Sequence, residues 1–288
     1  MILVVGTTGN LGGTVTRMLL AEGMPVRALV RPQSNYQPLV DAGAQIMMGD
    51  LKHPHSLDAV CKGVETIITT ANAGFRGGDD TPESVDLHGN RHLIDAAKAA
   101  GVKQLIFVST IMADPNSPIP IARAKGKTEE YLRTSGVPFT IIAPNAYMEM
   151  SLVGFVGMPA MQGQTVYIVG EGRRKHSFIS MHDVAAFLLA VIDDPAAINQ
   201  KLLLGGPQAL SFEDAVAIYK QVLGREITVA HAVPGEPVPG MPDVVAQFLG
   251  GFDLFESPMD STELARTFGV RLTPLEEVAR ASSGAGVA

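Results

Sequence analysis

Charged residues make up only 18% of this 288-residue chain, cysteine occurs once, and basic residues form no long cluster. A lone cysteine, Cys61, excludes an intramolecular disulfide and any Cys-x-x-Cys metal or redox pair, and it fits a reducing compartment. Lys and Arg number 22 against 29 Asp and Glu, a formal net charge of −7, and no run of five or more basic residues occurs. A phosphate backbone would need a basic stripe, so no direct nucleic-acid partner is expected. Low charge combined with 46% hydrophobic residues excludes intrinsic disorder. No uninterrupted apolar run approaches the length of a membrane span, about 18 residues or more. The opening Met1–Val5 lacks the charged start and long apolar stretch of a signal peptide, so a cytoplasmic protein with no membrane partner is expected. The length fits one large or two closely joined domains at about 150 residues each.

What is present is an alternation. Short apolar runs occur at Ile2–Val5, Val26–Val30, Gln45–Met48, Thr66–Thr70, Leu105–Val108 and Phe139–Ala143. They are mostly apolar rather than alternating, as strands of a parallel sheet covered on both faces should be. Amphipathic stretches lie between them at Leu11–Glu22, Leu57–Lys62, Pro82–Ala100 and Ile121–Ser135. Together they predict an α/β fold, a Rossmann doubly wound parallel sheet with right-handed crossovers, over residues 1–145.

Beyond Pro144 the pattern loosens, with Gly, Pro, Met and Phe mixed through Gly163. Strands at Val166–Val169, Ser177–Ile179 and Lys201–Leu204 and a helix at His182–Ile192 are expected, so late sheet elements fall within about 176–205. Ser211 with Asp214 three residues on reads as a capping box opening a helix that Gly224 ends. A turn-rich loop is expected over Ala232–Pro242 and a frayed terminus over Ser282–Ala288. Residues 146–288 are read as mostly a small α/β substrate lobe.

The first strand runs into Gly6-Thr7-Thr8-Gly9-Asn10-Leu11-Gly12, a GxxGxxG sequence opening an amphipathic helix. Glycines there permit a tight turn, let the backbone approach a pyrophosphate and let helix pack closely on strand, while the helix N-terminus offers N–H groups to the diphosphate. Its place between strand and helix in a βαβ unit points to dinucleotide binding rather than an ordinary glycine turn. Arg31 ends the second strand, where an NAD site places an acid for the ribose 2′-OH; a basic residue suits a 2′-phosphate, so NADP(H) is expected over NAD(H), the other reading being a solvated arginine. Asp50 and Leu51 end the third strand, where the carboxylate fits either the adenine amino group or a turn.

These residues resemble the NmrA-like branch of the atypical short-chain dehydrogenases/reductases. The matching pieces are Val4–Gly12, Arg27–Arg31, Gly49–Leu51, Val102–Thr110, Gly136–Pro144 and Phe178–Ala185, with Gly205-Gly206-Pro207 and Leu210-Ser211-Phe212 later on. The resemblance covers nearly the whole chain. It implies cofactor contacts from Gly6, Thr8, Gly9, Asn10, Leu11 and Gly12, from Arg31, Asp50 and Leu51, and from Thr70 and Ala71. Pro144 and Asn145 would pass the nicotinamide. Ser109 takes the place of the family's catalytic serine or threonine.

Orthodox members of the wider superfamily place a tyrosine four residues before a lysine, which lowers the phenol's pKa for proton exchange. Lys125 holds the lysine place, but Ile121 stands where the tyrosine belongs. Lys125 therefore serves as ribose ligand, proton donor or both, or lies solvated; Lys127 faces elsewhere on the helix. Tyr147 is a candidate proton donor or pocket wall, and Tyr131 a core residue or wall. Met148, Met150, Phe155, Met158 and Met161, with Phe248, Phe252 and Phe255, suit a planar hydrophobic substrate, a mobile lid or plain core. His88 and His92 lack a third ligand, so no metal is expected. His182-Asp183 reads as helix capping and Asp79-Asp80 as solvated.

Two functions follow from the resemblance. One is an NADPH-dependent oxidoreductase delivering hydride to a small hydrophobic acceptor such as a quinone or conjugated carbonyl. The other is a non-catalytic NADP(H)-sensing regulator. Partnership is open between a homodimer and a regulatory protein partner.

Overall fold

The computed structural model describes residues 1–74 and 77–284. Along the chain the strands are β1 (Ile2–Val5), β2 (Val26–Val30), β3 (Gln45–Met48), β4 (Thr66–Thr69), β5 (Gln104–Val108), β6 (Phe139–Pro144), β7 (Val166–Val169), β8 (Gln200–Leu204) and β9 (Val229–Ala232). The α-helices are α1 (Asn10–Ala21), α2 (Gln37–Asp41), α3 (Leu57–Cys61), α4 (Asn90–Ala100), α5 (Pro120–Ser135), α6 (Met158–Met161), α7 (Met181–Ala190), α8 (Phe212–Leu223), α9 (Asp243–Gly251), α10 (Thr262–Thr267) and α11 (Leu275–Ser282). The chain divides into two compact units, the first made of Met1–Pro144, Val184–Leu203 and Phe268–Val270, the second of the rest.

The first unit is a Rossmann-type α/β fold on a seven-stranded sheet of order β3-β2-β1-β4-β5-β6-β8. β1 pairs in parallel with β2 on one side and β4 on the other, Val4 standing opposite Ala28 and Ile68. The chain winds outward from β1 to β3, then returns to build the other half from β4. Every residue of β1, β4, β5 and β6 is buried, as helices on both faces require. β3 departs from the expectation of a strand buried on both faces. It is an edge strand with one neighbour, and Met48 at its end is 45% exposed. The expected helix over 82–100 forms, but Pro82–Gly89 is wound as a π-helix that continues into α4. Thr81 caps it, its Oγ1 accepting from the Ser84 N–H at 3.1 Å while its own N–H donates to Ser84 Oγ at 2.9 Å.

In the second unit β7 and β9 form a two-stranded parallel sheet, with Val166 opposite Val229. The loosened stretch after Pro144 is a π-helix, Glu149–Gly157, leading into α6. A π-helix does not repeat its apolar face every 3.6 residues, which is why no helical period is readable there. Ser211 and Asp214 form the expected capping box, and α8 ends at Gly224 with φ 62°. Ser177–Ile179, expected as a strand, carries a single bridge, Ile179 to Tyr147, and His176 just before it bridges Leu210 and Ser257. For Phe252 and Met148 the plain-core reading is the one realised: they lie in the core with Phe178 and Phe212. Asp183 does not cap its own helix. Its carboxylate accepts from Thr273 N at 2.6 Å and Thr273 Oγ1 at 2.7 Å, while Glu149 accepts from the Met181 N–H. Of the terminal run Ser282–Ala288, residues 285–288 lie outside the described residues.

His176 is fully buried among Phe178, Phe252 and Phe255, its ring edge-on to each at 5.1–5.6 Å. Nε2 lies 2.9 Å from the Phe252 carbonyl and Nδ1 2.8 Å from Ser257 Oγ. Burial lowers its pKa, against the Phe252 hydrogen bond that raises it. Below the unfolded value of about 6.5 the unfolded chain takes up a proton that native His176 resists, so this residue costs stability as pH falls. Asp183 works in the opposite sense, because burial raises its pKa and the folded chain binds that proton first. Denaturant titrations at pH 7.5 and 5.5 are expected to show a smaller loss for His176→Asn than for wild type; equal losses would remove His176 from the account.

Candidate functional site

The glycine loop lies at the carboxyl end of β1, beside the point where strand order reverses. Gly6 has φ +89°, and a Cβ there would stand 2.6 Å from Thr70 Oγ1 and 3.0 Å from the Ala71 N. Its carbonyl accepts from the Gly9 N–H at 3.0 Å, closing the turn. A Cβ on Gly12 would run into the same carbonyl and stand 2.7 Å from Thr70 Oγ1, so α1 lies directly on the β1 exit and on the residue following β4. Among the described residues no side chain caps Gly9, and the first turn of α1 holds no acid. The loop thus presents helix N–H groups and partial positive charge to any anion laid across it. Thr8 and Asn10 are exposed, and Leu11 and Gly12 are buried.

A groove runs from this loop across the ends of β1, β2 and β3, lined by Gly6, Thr8, Arg31, Asp50, Leu51, Ala71, Asp80 and Val85. At one end Asp80 bridges two cations, its Oδ2 taking Arg31 Nη1 at 2.7 Å and its Oδ1 taking Lys52 Nζ at 2.7 Å. The Lys52 hydrogen bond, with Arg31, holds the Asp80 carboxyl below the usual carboxylate range. Asp80 is therefore not the solvated loop acid expected of it. Arg31 directly follows β2 and Lys52 lies in the turn after the neighbouring β3, so their juxtaposition is three-dimensional. Lys52 went unread, although a second cation directly after Gly49-Asp50-Leu51 was the available signal. Asp50 Oδ1 accepts from the Lys52 N–H at 2.9 Å, so a turn role is realised while the residue lines the groove.

Lys125 is buried and donates to the Val108 carbonyl at 2.8 Å, with Asp86 Oδ1 at 3.5 Å. Asp86 comes from the π-helix, its Oδ2 accepting from the Ala73 N–H at 2.9 Å and its carbonyl accepting from Thr128 Oγ1 at 2.7 Å. One turn beyond Lys125, Glu129 accepts from Ser109 Oγ at 2.5 Å and from Lys201 Nζ at 2.8 Å. The hydroxyl proton of Ser109 is thus committed to a carboxylate. Glu129 was legible as the i+4 neighbour of Lys125; Asp86, inside a π-helical stretch, carried no such signal. The sheet end therefore brings Lys125 within one residue of Ser109. Pro144 ends β6, its carbonyl accepting from the Ile111 N–H at 3.2 Å.

Asn145 and Tyr147 fall in the second unit. Asn145 spends its side-chain amide on the Ser257 carbonyl at 2.9 Å and Oγ at 3.0 Å, fastening the segment that carries Ser257. Burial and the nearby Glu149 carboxylate raise the Tyr147 phenol, which keeps it protonated. Tyr131 donates to Asp95 at 2.6 Å with Arg91 over its ring. His92 Nδ1 lies 2.9 Å from the Leu51 carbonyl, and His88 pairs with Glu83. Among the described residues no three His, Cys, Asp or Glu side chains gather as metal ligands, and no helix is long and apolar enough to cross a membrane. Cys61 is buried, its thiol pushed up to about 11 by burial.

A doubly wound sheet with a glycine loop at its switch point defines the class, a Rossmann-type nucleotide-binding fold. The chain belongs to the NmrA-like family, whose model matches residues 1–279. An NAD(P)H azoreductase of Xenophilus azovorans is 33% identical over 251 residues, covering 85% of this chain and 84% of that protein. The photosystem II assembly factor Ycf39 of Cyanophora paradoxa is 33% identical over 229 residues, 79% and 70% of the two chains. The structure of the NADPH-dependent quinone oxidoreductase QOR2 of Escherichia coli complexed with NADPH aligns with TM-score 0.79 and 25% identity, covering 98% of this chain and 99% of that one.

Proposed function

We propose that this chain is an NAD(P)H-dependent oxidoreductase that passes hydride to a small hydrophobic acceptor such as a quinone or conjugated carbonyl, with NADP(H) preferred over NAD(H). The observation that carries this reading is the cradle at the β1 exit, where only glycine fits at positions 6 and 12, continuous with a groove lined by Arg31 and by Asp80, to which Lys52 is paired. The names of the azoreductase and quinone oxidoreductase relatives point the same way. The lone buried thiol of Cys61 suits a cytoplasmic setting.

A nicotinamide dinucleotide fits these residues. Gly6, Thr8, Gly9, Asn10, Leu11 and Gly12 would hold its diphosphate; Arg31 and Lys52 a 2′-phosphate; Asp50, Leu51, Thr70 and Ala71 the adenosine side; Ser109, Lys125, Pro144 and Asn145 the nicotinamide side. When bound, its reduced nicotinamide supplies the hydride. Lys125, fixed by the Val108 carbonyl and Asp86, orients the ribose. Ser109 holds its proton on Glu129, so its oxygen faces any ligand as an acceptor. Tyr147, held protonated, is the hydroxyl assigned to acceptor binding as a hydrogen-bond donor. With Ile121 in the tyrosine place, acceptors whose reduced form is a stabilised anion suit this chain, because water can protonate them. We assign acceptor binding to residues 146–288, where Met150 and Met158 are 44% and 49% exposed.

The alternative, an NADP(H)-sensing regulator working through a protein partner, is favoured by the tethered Ser109 proton and by the assembly-factor relative. NADPH oxidation across quinones, azo dyes, triphenylmethane dyes and α,β-unsaturated ketones, with calorimetric NADP+ titration alongside, separates the two. Saturable turnover with one acceptor class is expected. Tight NADP+ binding without turnover would replace the reductase with the sensor.

A further inference from the structure

Arg31 and Lys52 come with their own counter-anion. We propose that Asp80 is an internal stand-in for the 2′-phosphate of NADP(H), occupying both cations in the cofactor-free chain and so limiting how strongly the site prefers NADP(H) over NAD(H). This rests on the cofactor reading given above.

The geometry is that of a bound anion. Arg31 meets Oδ2 of Asp80 and Lys52 meets Oδ1, both at 2.7 Å, and Asp80 lines the same groove as Gly6 and Arg31. The Arg31 and Lys52 side chains are 28% and 25% exposed and Asp80 11%, so the cations are reachable from solvent while held in position. A phosphate monoester carries about −1.5 to −2 charges at neutral pH and three acceptor oxygens, against one charge and two oxygens on a carboxylate. It is the better partner for two cations, yet to engage them it must break two charge-assisted hydrogen bonds to Asp80. NAD(H) carries a hydroxyl at that position and breaks neither. Asp80 therefore penalises NADP(H) selectively, and in return keeps Arg31 and Lys52 ordered before cofactor arrives. A purely structural tie would act on both cofactors alike.

The test is calorimetric titration of the full chain with NADP+, NAD+ and 2′,5′-ADP at several salt concentrations. Asp80→Asn keeps the side-chain size and removes the charge. Its NADP+ and 2′,5′-ADP dissociation constants are expected to fall about tenfold, equivalent to about 1.4 kcal/mol. NAD+ should stay within about twofold, and the salt dependence of NADP+ binding should steepen. Adding Lys52→Gln should abolish the gain. Asp80→Ser, also neutral, should move the ratio in the same direction and serves if the asparagine variant does not fold. Asp80→Glu should leave the NADP+/NAD+ ratio near wild type. A ratio unchanged by both neutral variants, or equal shifts for both cofactors, overturns the role of Asp80 and leaves the cofactor reading standing. Wild-type protein that binds neither NADP+ nor NAD+ overturns the cofactor reading, and the role of Asp80 with it.

Discussion

Gly12→Ala is expected to bind NADP+ and NAD+ at least about a hundredfold more weakly than wild type, while losing about 2–3 kcal/mol of folding stability. A methyl group at this position meets backbone rather than a yielding side chain. It would run into the Gly6 carbonyl and stand 2.7 Å from both the Gly6 carbonyl carbon and Thr70 Oγ1. Relief requires α1 to lift away from β1, and the N–H groups of its first turn lift with it, out of the geometry that meets a diphosphate. Gly9 is the internal control. A Cβ there would stand 3.3 Å from the Gly6 oxygen, and φ is −87°, so alanine meets little backbone strain and its methyl only stands in the way of close approach. Gly9→Ala should therefore lose much less stability than Gly12→Ala while still binding cofactor more weakly than wild type. Calorimetry and urea denaturation read both quantities, and a Gly12→Ala protein with wild-type affinity would detach the loop from cofactor binding.

Lys125→Met is expected to cut turnover by at least about a hundredfold and to cost about 3 kcal/mol of stability, because it removes the ammonium 3.5 Å from the buried Asp86 carboxylate. The two losses have different origins and come apart in a second variant. Adding Asp86→Asn removes the carboxylate charge while the amide oxygen still accepts from the Ala73 N–H. Lys125→Met/Asp86→Asn should regain most of the lost stability and none of the turnover. Lys125→Arg should not rescue, since a planar guanidinium cannot replace a compact ammonium on the Val108 carbonyl in a buried site. Recovery of turnover together with stability in the double variant would make Lys125 a structural residue only. Denaturation midpoints and kcat with the acceptor found active give the readout.

What was legible in the sequence was whatever depends on local period and local backbone need. Strands such as Ile2–Val5 and Phe139–Pro144 show as apolar runs because both faces of the sheet are covered. Gly6 and Gly12 show because no other residue fits a turn packed that tightly, and Ser211 with Asp214 shows because a cap is written within four residues. The π-helices over 82–89 and 149–157 were partly or wholly hidden by their non-α period. The short β9 passed unnoticed within a run of mixed polarity, and its partner β7 lies about sixty residues back. At the site, Arg31 was legible from its strand end, whereas its neighbours Lys52 and Asp80, in the segments after β3 and β4, meet it only in the folded chain. Asp80 and Asp183 were misread for one reason. A charged residue in a polar loop or at a helix start looks satisfied by solvent or cap, and the partners they have, Arg31, Lys52 and Thr273, are distant in sequence.

The first unit is assembled from three separated stretches of chain, Met1–Pro144, Val184–Leu203 and Phe268–Val270. At a synthesis rate of about 5–20 residues per second the growing chain holds β1 to β6 for several seconds before β8 leaves the ribosome to complete the sheet. During that interval the edge of β6, every residue of which is buried in the finished protein, has no β8 beside it. The order of residues along this chain thus makes its birth the time of greatest exposure to strand-to-strand aggregation, and slow elongation through the segment between Pro144 and Gln200 would lengthen it.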